Sequence, residues 1–377
     1  MKRAAAAKGG DAPLLTARQL NRATLARQQL LARESATALA AVERLVAMQA
    51  QLARPPFVGL WTRLTGFRRE ELTRLYQRKK VVRVSFLRGT LHLVSVRDYQ
   101  RLRAAVQPAA DRGMQSILRE RLKTFDREAT LAEARAFFAE APRTFDELRD
   151  YYAERKNPGD VRARSYVARC QLPLVQVPTD DSWSFPAAAR FALAEDWLGA
   201  PLPAADDDPA PLVLRYLAAF GPASVTDVQS WSGLASLRAT LDGLRDQLSV
   251  FRDPRGRELF DLPKAPRPDG DVEAPVRFLP EYDSLMLGHD DRSRFIADEH
   301  RPALITKNLQ IPGAFLVDGV VAGTWKLERA KKTATLVVAS FAALSKATRT
   351  ALEAEGESLV RFVESDAESF AVRFTRR

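Results

Sequence analysis

The spacing of apolar residues changes from three or four to two after residue 80, and this change limits the fold more than any other feature. Helical spacing covers residues 15–33, 35–48 and 69–79. Alternation then covers residues 81–87 and 90–94. Arg88-Gly89 lies between the alternating segments, where a tight hairpin turn uses the backbone freedom of glycine. Helices followed by such a hairpin predict a winged helix-turn-helix.

The same succession of helix and hairpin occurs twice more along the chain. Helical spacing over 144–155 precedes a hairpin predicted over 174–185, with Trp183-Ser184-Phe185 in its second strand. Helical spacing over 212–248 precedes short strands predicted around Phe251 and Leu259. The economical interpretation is three winged-helix units in tandem.

The composition changes after a linker rich in proline and charged residues at 263–275. Residues 314–327 and 334–340 alternate or are continuously apolar, with many β-branched side chains, which predicts a small antiparallel sheet or barrel. A helix is predicted over 346–363.

The predicted fold is therefore α+β, with three tandem winged helix-turn-helix domains and a C-terminal β-rich, barrel-like domain. A length of 377 residues is enough for several such domains. The predicted boundaries are a disordered basic arm at 1–13, winged helix 1 with the candidate catalytic motif at 14–125, winged helix 2 at 126–205, winged helix 3 at 206–265, and the β-rich domain at 266–377.

Positive charge is concentrated at the start of the chain. Residues 1–110 contain 21 Lys and Arg against 6 Asp and Glu, a net charge of +15, whereas the whole chain carries +11. Clustered positive charge is typical of proteins that bind polyanions, and nucleic acid is the predicted partner. The alternative is an arginine-rich composition on solvated helix faces.

Part of this charge runs through the third helix into the hairpin, where a winged helix usually meets the duplex backbone. An ordinary solvated face is the alternative. The residues predicted to contact DNA are Arg68, Arg69, Arg78, Lys79, Lys80, Arg83, Arg88, Thr90 and Arg292.

Two amides, Gln49 and Gln51, follow the second predicted helix. Pro55-Pro56 prevents a helix from continuing far beyond them, and in extended backbone residues two apart share a face. The two amides can then converge on one water. Glutamine cannot accept a proton at neutral pH, so this pair would orient a water rather than deprotonate it. Helix capping on a solvated face is the alternative.

Several motifs in a fixed order resemble the AlkZ-type winged-helix DNA glycosylases over about residues 14–377. Besides Gln49-Ala50-Gln51, these are RGTLHLVS at 88–95, FGPASVTDVQSWSGL at 220–234, FLPEYDSLMLGHDDR at 278–292 and VDGVVAGTWKLER at 317–329. The resemblance implies a C-shaped protein that clasps duplex DNA and hydrolyses the N-glycosidic bond of alkylated purines, notably N7-alkylguanine. Some similar proteins unhook interstrand crosslinks or bulky natural-product adducts and so give self-resistance.

The family's catalytic motif is a glutamine, an aliphatic residue and then Gln or Asp, which falls here on Gln49, Ala50 and Gln51. Ala50 is small for the middle position, and Gln at the last position resembles the natural-product resistance branch. An N7-alkylated guanine is cationic and leaves without protonation by an acid. A positioned water beside an oxocarbenium-like sugar is therefore the predicted mechanism of a monofunctional glycosylase.

His92 lies in the second strand of the hairpin, on the same face as Thr90 and Val94. It is a third candidate catalytic residue, because the ordinary pKa of histidine suits water activation. A contact with phosphate or with the damaged strand is a second interpretation, and a hydrogen-bonded structural histidine is a third.

The sequence predicts neither a metal nor a cofactor. Glu281, Asp283, His289, Asp290 and Asp291 match no zinc or calcium spacing, and a turn and strand presenting Arg292 to DNA or to a neighbouring domain explains them better. A single cysteine fits a reducing compartment, and no apolar stretch approaches the ~20 residues of a membrane span. We therefore expect a cytoplasmic, nucleoid-associated monomer that acts without a membrane.

Two functions compete with the glycosylase. A non-catalytic winged-helix regulator would read an operator, although such proteins usually join one winged helix to a dimerisation or effector domain. A lesion-binding protein would sequester adducts without hydrolysis.

Overall fold

The computed structural model describes residues 12–155, 159–204, 206–304 and 310–376. Helices and strands are mixed along these residues, in agreement with the predicted α+β composition. Most of the predicted disordered arm, residues 1–11, lies outside the described part. Pro13 is already bonded, since its carbonyl accepts the N–H of Arg252 at 2.9 Å. Among the described helices, none combines the length and apolarity that crossing a bilayer requires.

The N-terminal part confirms the predicted helices and hairpin. Thr16 and Thr37 cap the first two helices by accepting backbone N–H groups at 3.2 Å. Arg88 and Gly89 take φ angles of 55° and 68° in the turn between the strands, a region that glycine enters without strain. The elements are α1 Ala17–Arg27, α2 Ala38–Leu45, β1 Met48–Gln49, α3 Pro55–Trp61, α4 Arg69–Gln77, β2 Val81–Ser85 and β3 Leu91–Ser95.

The middle of the chain is more helical than the sequence indicated. Its elements are α5 Val96–Leu118, α6 Arg127–Glu140, α7 Phe145–Ala153, α8 Val161–Gln171, β4 Leu174–Gln176, β5 Phe191–Leu193 and α9 Ala194–Leu198. The prediction of a strand at 183–185 is wrong. Those residues form a turn in which Ser184 has a φ of 66°, and the second strand is β5. Apolar residues occur in this turn because the rings of Trp183 and Phe185 pack edge-on against Phe57 and Tyr76.

One five-stranded antiparallel sheet joins strands that the sequence assigned to separate units. Its order is β1-β3-β2-β4-β5. Val84 of β2 pairs with Val175 of β4, so the first and second hairpins are continuous. The sheet therefore fixes the segment that carries Gln49 against a much larger framework than one hairpin provides.

The remaining elements confirm the short strands near Phe251 and Leu259 and the helix over 346–363. They are α10 Ala210–Phe220, α11 Val225–Ser232, α12 Arg238–Gly243, β6 Ser249–Arg252, β7 Glu258–Asp261, β8 Arg277–Leu279, α13 Ser284–Leu287, α14 Arg301–Leu304, β9 Gly313–Val317, β10 Val320–Ala330, β11 Thr333–Ser340, α15 Lys346–Val363 and β12 Ser369–Arg376.

The C-terminal strands form a second five-stranded sheet, with the order β12-β11-β10-β9-β8. Within the described ranges β8 and β12 are open edges, so the sheet does not close into the barrel-like form that alternation alone suggested. The cause is the connection through α15, which brings β12 back parallel to β11. One face of the sheet packs against α15 through Trp325, Leu336 and Val338.

Candidate active site and nucleic-acid interface

The glutamine motif lies in extended backbone beside the first hairpin. α2 ends at Leu45, because the next residue, Val46, has a φ of 67°, which is incompatible with a right-handed helix. Gln49 then pairs directly with His92 across β1 and β3. Side chains that face each other in this way have Cβ atoms ~5 Å apart, so the Gln49 amide and the imidazole share one face of the sheet.

Each amide oxygen of the motif accepts one hydrogen bond from the protein. Gln49 Oε1 accepts from Arg88 Nη2 at 2.9 Å, and Gln51 Oε1 accepts from the backbone N–H of Leu91 at 3.0 Å. A carbonyl oxygen has two lone pairs, so each keeps one acceptor position. The two amides are therefore held in place and still able to bind water.

A cavity of about 10 Å³ adjoins Gln49, which is room for about one water. Met48, Pro55 and Pro56 form one side of it, and Glu281 and Tyr282 form the other. Sequence reasoning missed this second wall. The sequence assigns Glu281 only to a turn and strand that presents Arg292, whereas in the structure its carboxylate pairs with Arg54 at 2.7 Å. The φ of 60° at Tyr282 has no signal in the sequence.

Arg88 is a positioning residue in this structure. Besides Gln49, its guanidinium donates to the backbone carbonyl of Trp231 at the end of α11. Gly233 follows, where an added Cβ would lie 3.0 Å from Arg88 Cγ, so the close approach needs glycine. Burial and the nearby charge of Arg292 lower the pKa of Arg88 to about 10. Its predicted phosphate contact would compete with these interactions.

Arg83 has a similar role on the other side of the motif. Its side chain donates to the carbonyls of Ala50, at 2.8 Å, and Gln51, at 3.1 Å, and stacks on Phe185. Only 5% of the residue is exposed, and burial lowers its pKa. The structure thus places the Arg83 guanidinium behind the motif, away from where a phosphate could reach it.

Replacing Arg83 with Met is expected to slow the reaction of this site about ten- to a hundredfold with little change in DNA affinity, because the motif loses the donor that fixes its backbone. Single-turnover rates and binding isotherms measure the two effects. Lys80→Ala is the matched control, since Lys80 is exposed. It should weaken DNA binding and reduce the salt slope by about 1. A loss of affinity in Arg83→Met comparable to that in Lys80→Ala would show that Arg83 binds phosphate.

His92 is buried and neutral. Its Nδ1 lies 2.9 Å from the carbonyl of Thr90, which can only accept, so Nδ1 carries the proton and Nε2 keeps its lone pair. Burial, and then the charge of Arg88, lower the pKa of His92 to about 3. His92 therefore lacks the near-neutral pKa on which its predicted role in water activation depended. It can still accept a hydrogen bond through Nε2.

The base release that the sequence predicts is expected to be independent of pH between about 5 and 8, because a lowered pKa keeps His92 neutral over that range and glutamine does not titrate. Rates should be measured across this range after subtraction of spontaneous release. A sigmoidal loss of rate on the acid side, with a midpoint near 6.5, would contradict the prediction.

The other predicted DNA contacts divide into exposed and engaged side chains. Arg69 donates to the last carbonyls of α15 at Phe362 and Val363, and stacks on Trp183. Thr90 donates to Leu87, and Arg292 to His289. The exposed set is Arg68, Arg78, Lys79 and Lys80.

The exposed basic residues after α4 lie at the far end of the hairpin from the glutamine motif. Val81 pairs with Ser95 at one end, whereas Ser85 pairs with Leu91 at the other. Four residues of strand separate the ends by ~13 Å. The basic residues and the motif thus lie along one hairpin without touching.

The side chains of the acidic segment at 281–291 have different partners in the structure. Asp283 forms a fully buried pair with Arg63, Asp291 pairs with Arg257, and buried His289 bonds the carbonyl of Phe220. Across the described ranges no three His, Cys, Asp or Glu side chains come together as a metal site would require.

Comparison with known proteins gives one consistent family. The family model "DNA glycosylase AlkZ-like" matches residues 42–362. The interstrand DNA cross-link repair glycosylase of Streptomyces sahachiroi is 30% identical over 176 residues, which are 44% of this chain and 45% of that protein. The chain thus matches about half the length of this curated relative.

A solved structure, Streptomyces sahachiroi DNA glycosylase AlkZ, superposes with a TM-score of 0.77 at 22% identity, over 96% of this chain and all of that one. At this identity the superposition establishes a common fold. Because the family model spans most of the sequence as well, the chain belongs to the AlkZ-like DNA glycosylase family.

Proposed function

We propose that this protein is a monofunctional DNA glycosylase that removes alkylated purines, and N7-alkylguanine in particular, from duplex DNA. The observation that carries the proposal is a pair of amides, Gln49 and Gln51, each fixed by a hydrogen bond, with a cavity beside Gln49 that has room for about one water. Neither amide can take up a proton at neutral pH, and the pair therefore suits a substrate whose leaving group is already activated.

The chemistry follows from that restriction. The bond between C1′ and N9 breaks, and its electron pair neutralises the cationic base. The water held by the amides forms the new bond to C1′, and its proton passes to solvent. Gln49 and Gln51 orient this water and accept its hydrogen bonds, with His92 Nε2 as a further acceptor. Hydrolysis of this kind consumes only water, so the proposal includes no cofactor.

The DNA would lie along the basic N-terminal part of the chain. In the proposal three winged-helix units form a concave face, and the exposed residues Arg68, Arg78, Lys79 and Lys80 contact phosphates. The relative named for interstrand cross-link repair supports including bulky and crosslinked adducts among the substrates. A monomer acting in the cytoplasm on the nucleoid completes the proposal.

The test is release of free base from a duplex that contains one N7-methylguanine, with an unmodified duplex as control. We expect free N7-methylguanine and an abasic site in an intact strand. Strand cleavage without alkali would contradict the monofunctional assignment. Tight binding with no release from small, bulky or crosslinked lesions would leave a regulator or a lesion-sequestering protein.

A further inference from the structure

A cleft of about 570 Å³ lies against the free face of the C-terminal sheet, next to the candidate active site. Its floor follows from the strand register. Thr324 pairs with Ala339, which pairs with Thr375, so these three side chains form one row across β10, β11 and β12. Lys326 and Val337 form the next row on the same face.

The cleft exists because the two faces of this sheet carry different side chains. Large apolar residues alternate onto the face that α15 covers, whereas Thr324, Val337, Ala339 and Thr375 form the floor of the cleft together with Lys326. Leu52, Ile311 and Pro312 complete an apolar wall. The volume is within the range of ~300–1,000 Å³ that accommodates drug-sized ligands.

The cleft adjoins the candidate active site. Glu281 and Tyr282 line both the cleft and the small cavity at Gln49, so the two spaces lie on opposite sides of one short segment. Leu52 directly follows Gln51, and half of this residue is exposed. Two charged side chains at the cleft are paired, Glu281 with Arg54 and Lys326 with Glu328, and Arg376 lines the cleft as well.

The small cavity at Gln49 has room for about one water and cannot enclose a purine. The N7 atom of guanine lies on the major-groove edge, so a substituent on N7 projects out of the base stack. A group attached there could extend past Tyr282 while the glycosidic bond stays at the glutamine pair.

We propose that the cleft binds the apolar substituent of a bulky N7-alkylguanine, and so determines which adducts are removed. This inference rests on the proposed glycosylase function. In this arrangement the nucleobase lies near Gln49 and Gln51, and its substituent lies in the cleft on the C-terminal sheet.

The test compares release of N7-methylguanine and N7-(2-naphthylmethyl)guanine from the same duplex by wild type and Ala339→Phe. The phenyl ring would project from the floor and narrow the cleft. We expect naphthylmethyl adduct release to fall at least about tenfold, and N7-methylguanine release to stay within about twofold. Ala339→Ser, which leaves the space open, should release both as wild type does.

Thr375→Trp, with Thr375→Val as its control, repeats the test from a half-buried edge strand, where a large side chain disturbs the sheet less. Equal losses on both substrates in either folded blocking variant would overturn the proposal, because the cleft would then hold the base itself. Unchanged release of the naphthylmethyl adduct would overturn it too. Failure of wild type to release N7-methylguanine would instead refute the glycosylase function.

Discussion

Replacing Gln49 and Gln51 together with alanine is expected to slow release of N7-methylguanine about 10³-fold, while affinity for the damaged duplex changes less than about threefold. The double variant retains the fold and the exposed basic residues but loses both acceptors for the water. Single-turnover base release and equilibrium binding measure the two quantities. A rate within about tenfold of wild type would show that the amides do not position the reacting water.

The single variants should be far from additive, since both amides hold the same water. Gln51→Ala also leaves the N–H of Leu91 without its acceptor, whereas Gln49→Ala frees one N–H of Arg88. We therefore expect Gln51→Ala to lower the melting temperature slightly and to leave the circular dichroism spectrum unchanged. Glu at either position is the matched control, because it keeps an acceptor oxygen in a similar place.

Replacing Arg63 with Met is expected to lower the free energy of unfolding by about 3–5 kcal/mol. Arg63 and Asp283 form two hydrogen bonds at 2.8 Å, with side chains that are 0% and 1% exposed. Removing the arginine leaves a carboxylate buried without its partner, next to the segment that separates the cavity from the cleft. Urea unfolding at neutral pH measures the change.

The double variant Arg63→Met with Asp283→Leu tests the cause of that loss. If the unpaired carboxylate is responsible, removing it as well should recover most of the stability, because well-packed apolar residues often replace a buried ion pair without loss. A double variant as unstable as Arg63→Met alone would show that the lost packing and carbonyl contacts of Arg63 matter more.

Local patterns predicted local structure well. α15 begins and ends at the predicted residues, and the turn at Arg88-Gly89 follows from a short segment of sequence. The strand at 183–185 was mispredicted because apolar rings there serve tertiary packing, which alternation along the chain cannot distinguish from a strand. The pairing of Val84 with Val175 is a contact between distant segments and leaves no periodic signal.

The sequence predicts the glutamine motif of the candidate site, but it does not predict which side chains surround the motif or how deeply they are buried. Gln49 and Gln51 stand out through their spacing and the prolines that follow. Arg83 and Arg88 looked like phosphate ligands because charge is visible in a sequence and burial is not. The cleft depends on which small side chains meet across three strands, and only the register reveals it.

The first hairpin cannot be separated from the second without exposing a strand edge. Because β2 pairs on one side with β3 and on the other with β4, a fragment truncated after residue 125 would present the unpaired backbone of β2 to solvent. Open edges of this kind pair with one another and lead to aggregation. Attempts to isolate the motif-bearing segment as a minimal enzyme should therefore keep residues through β5.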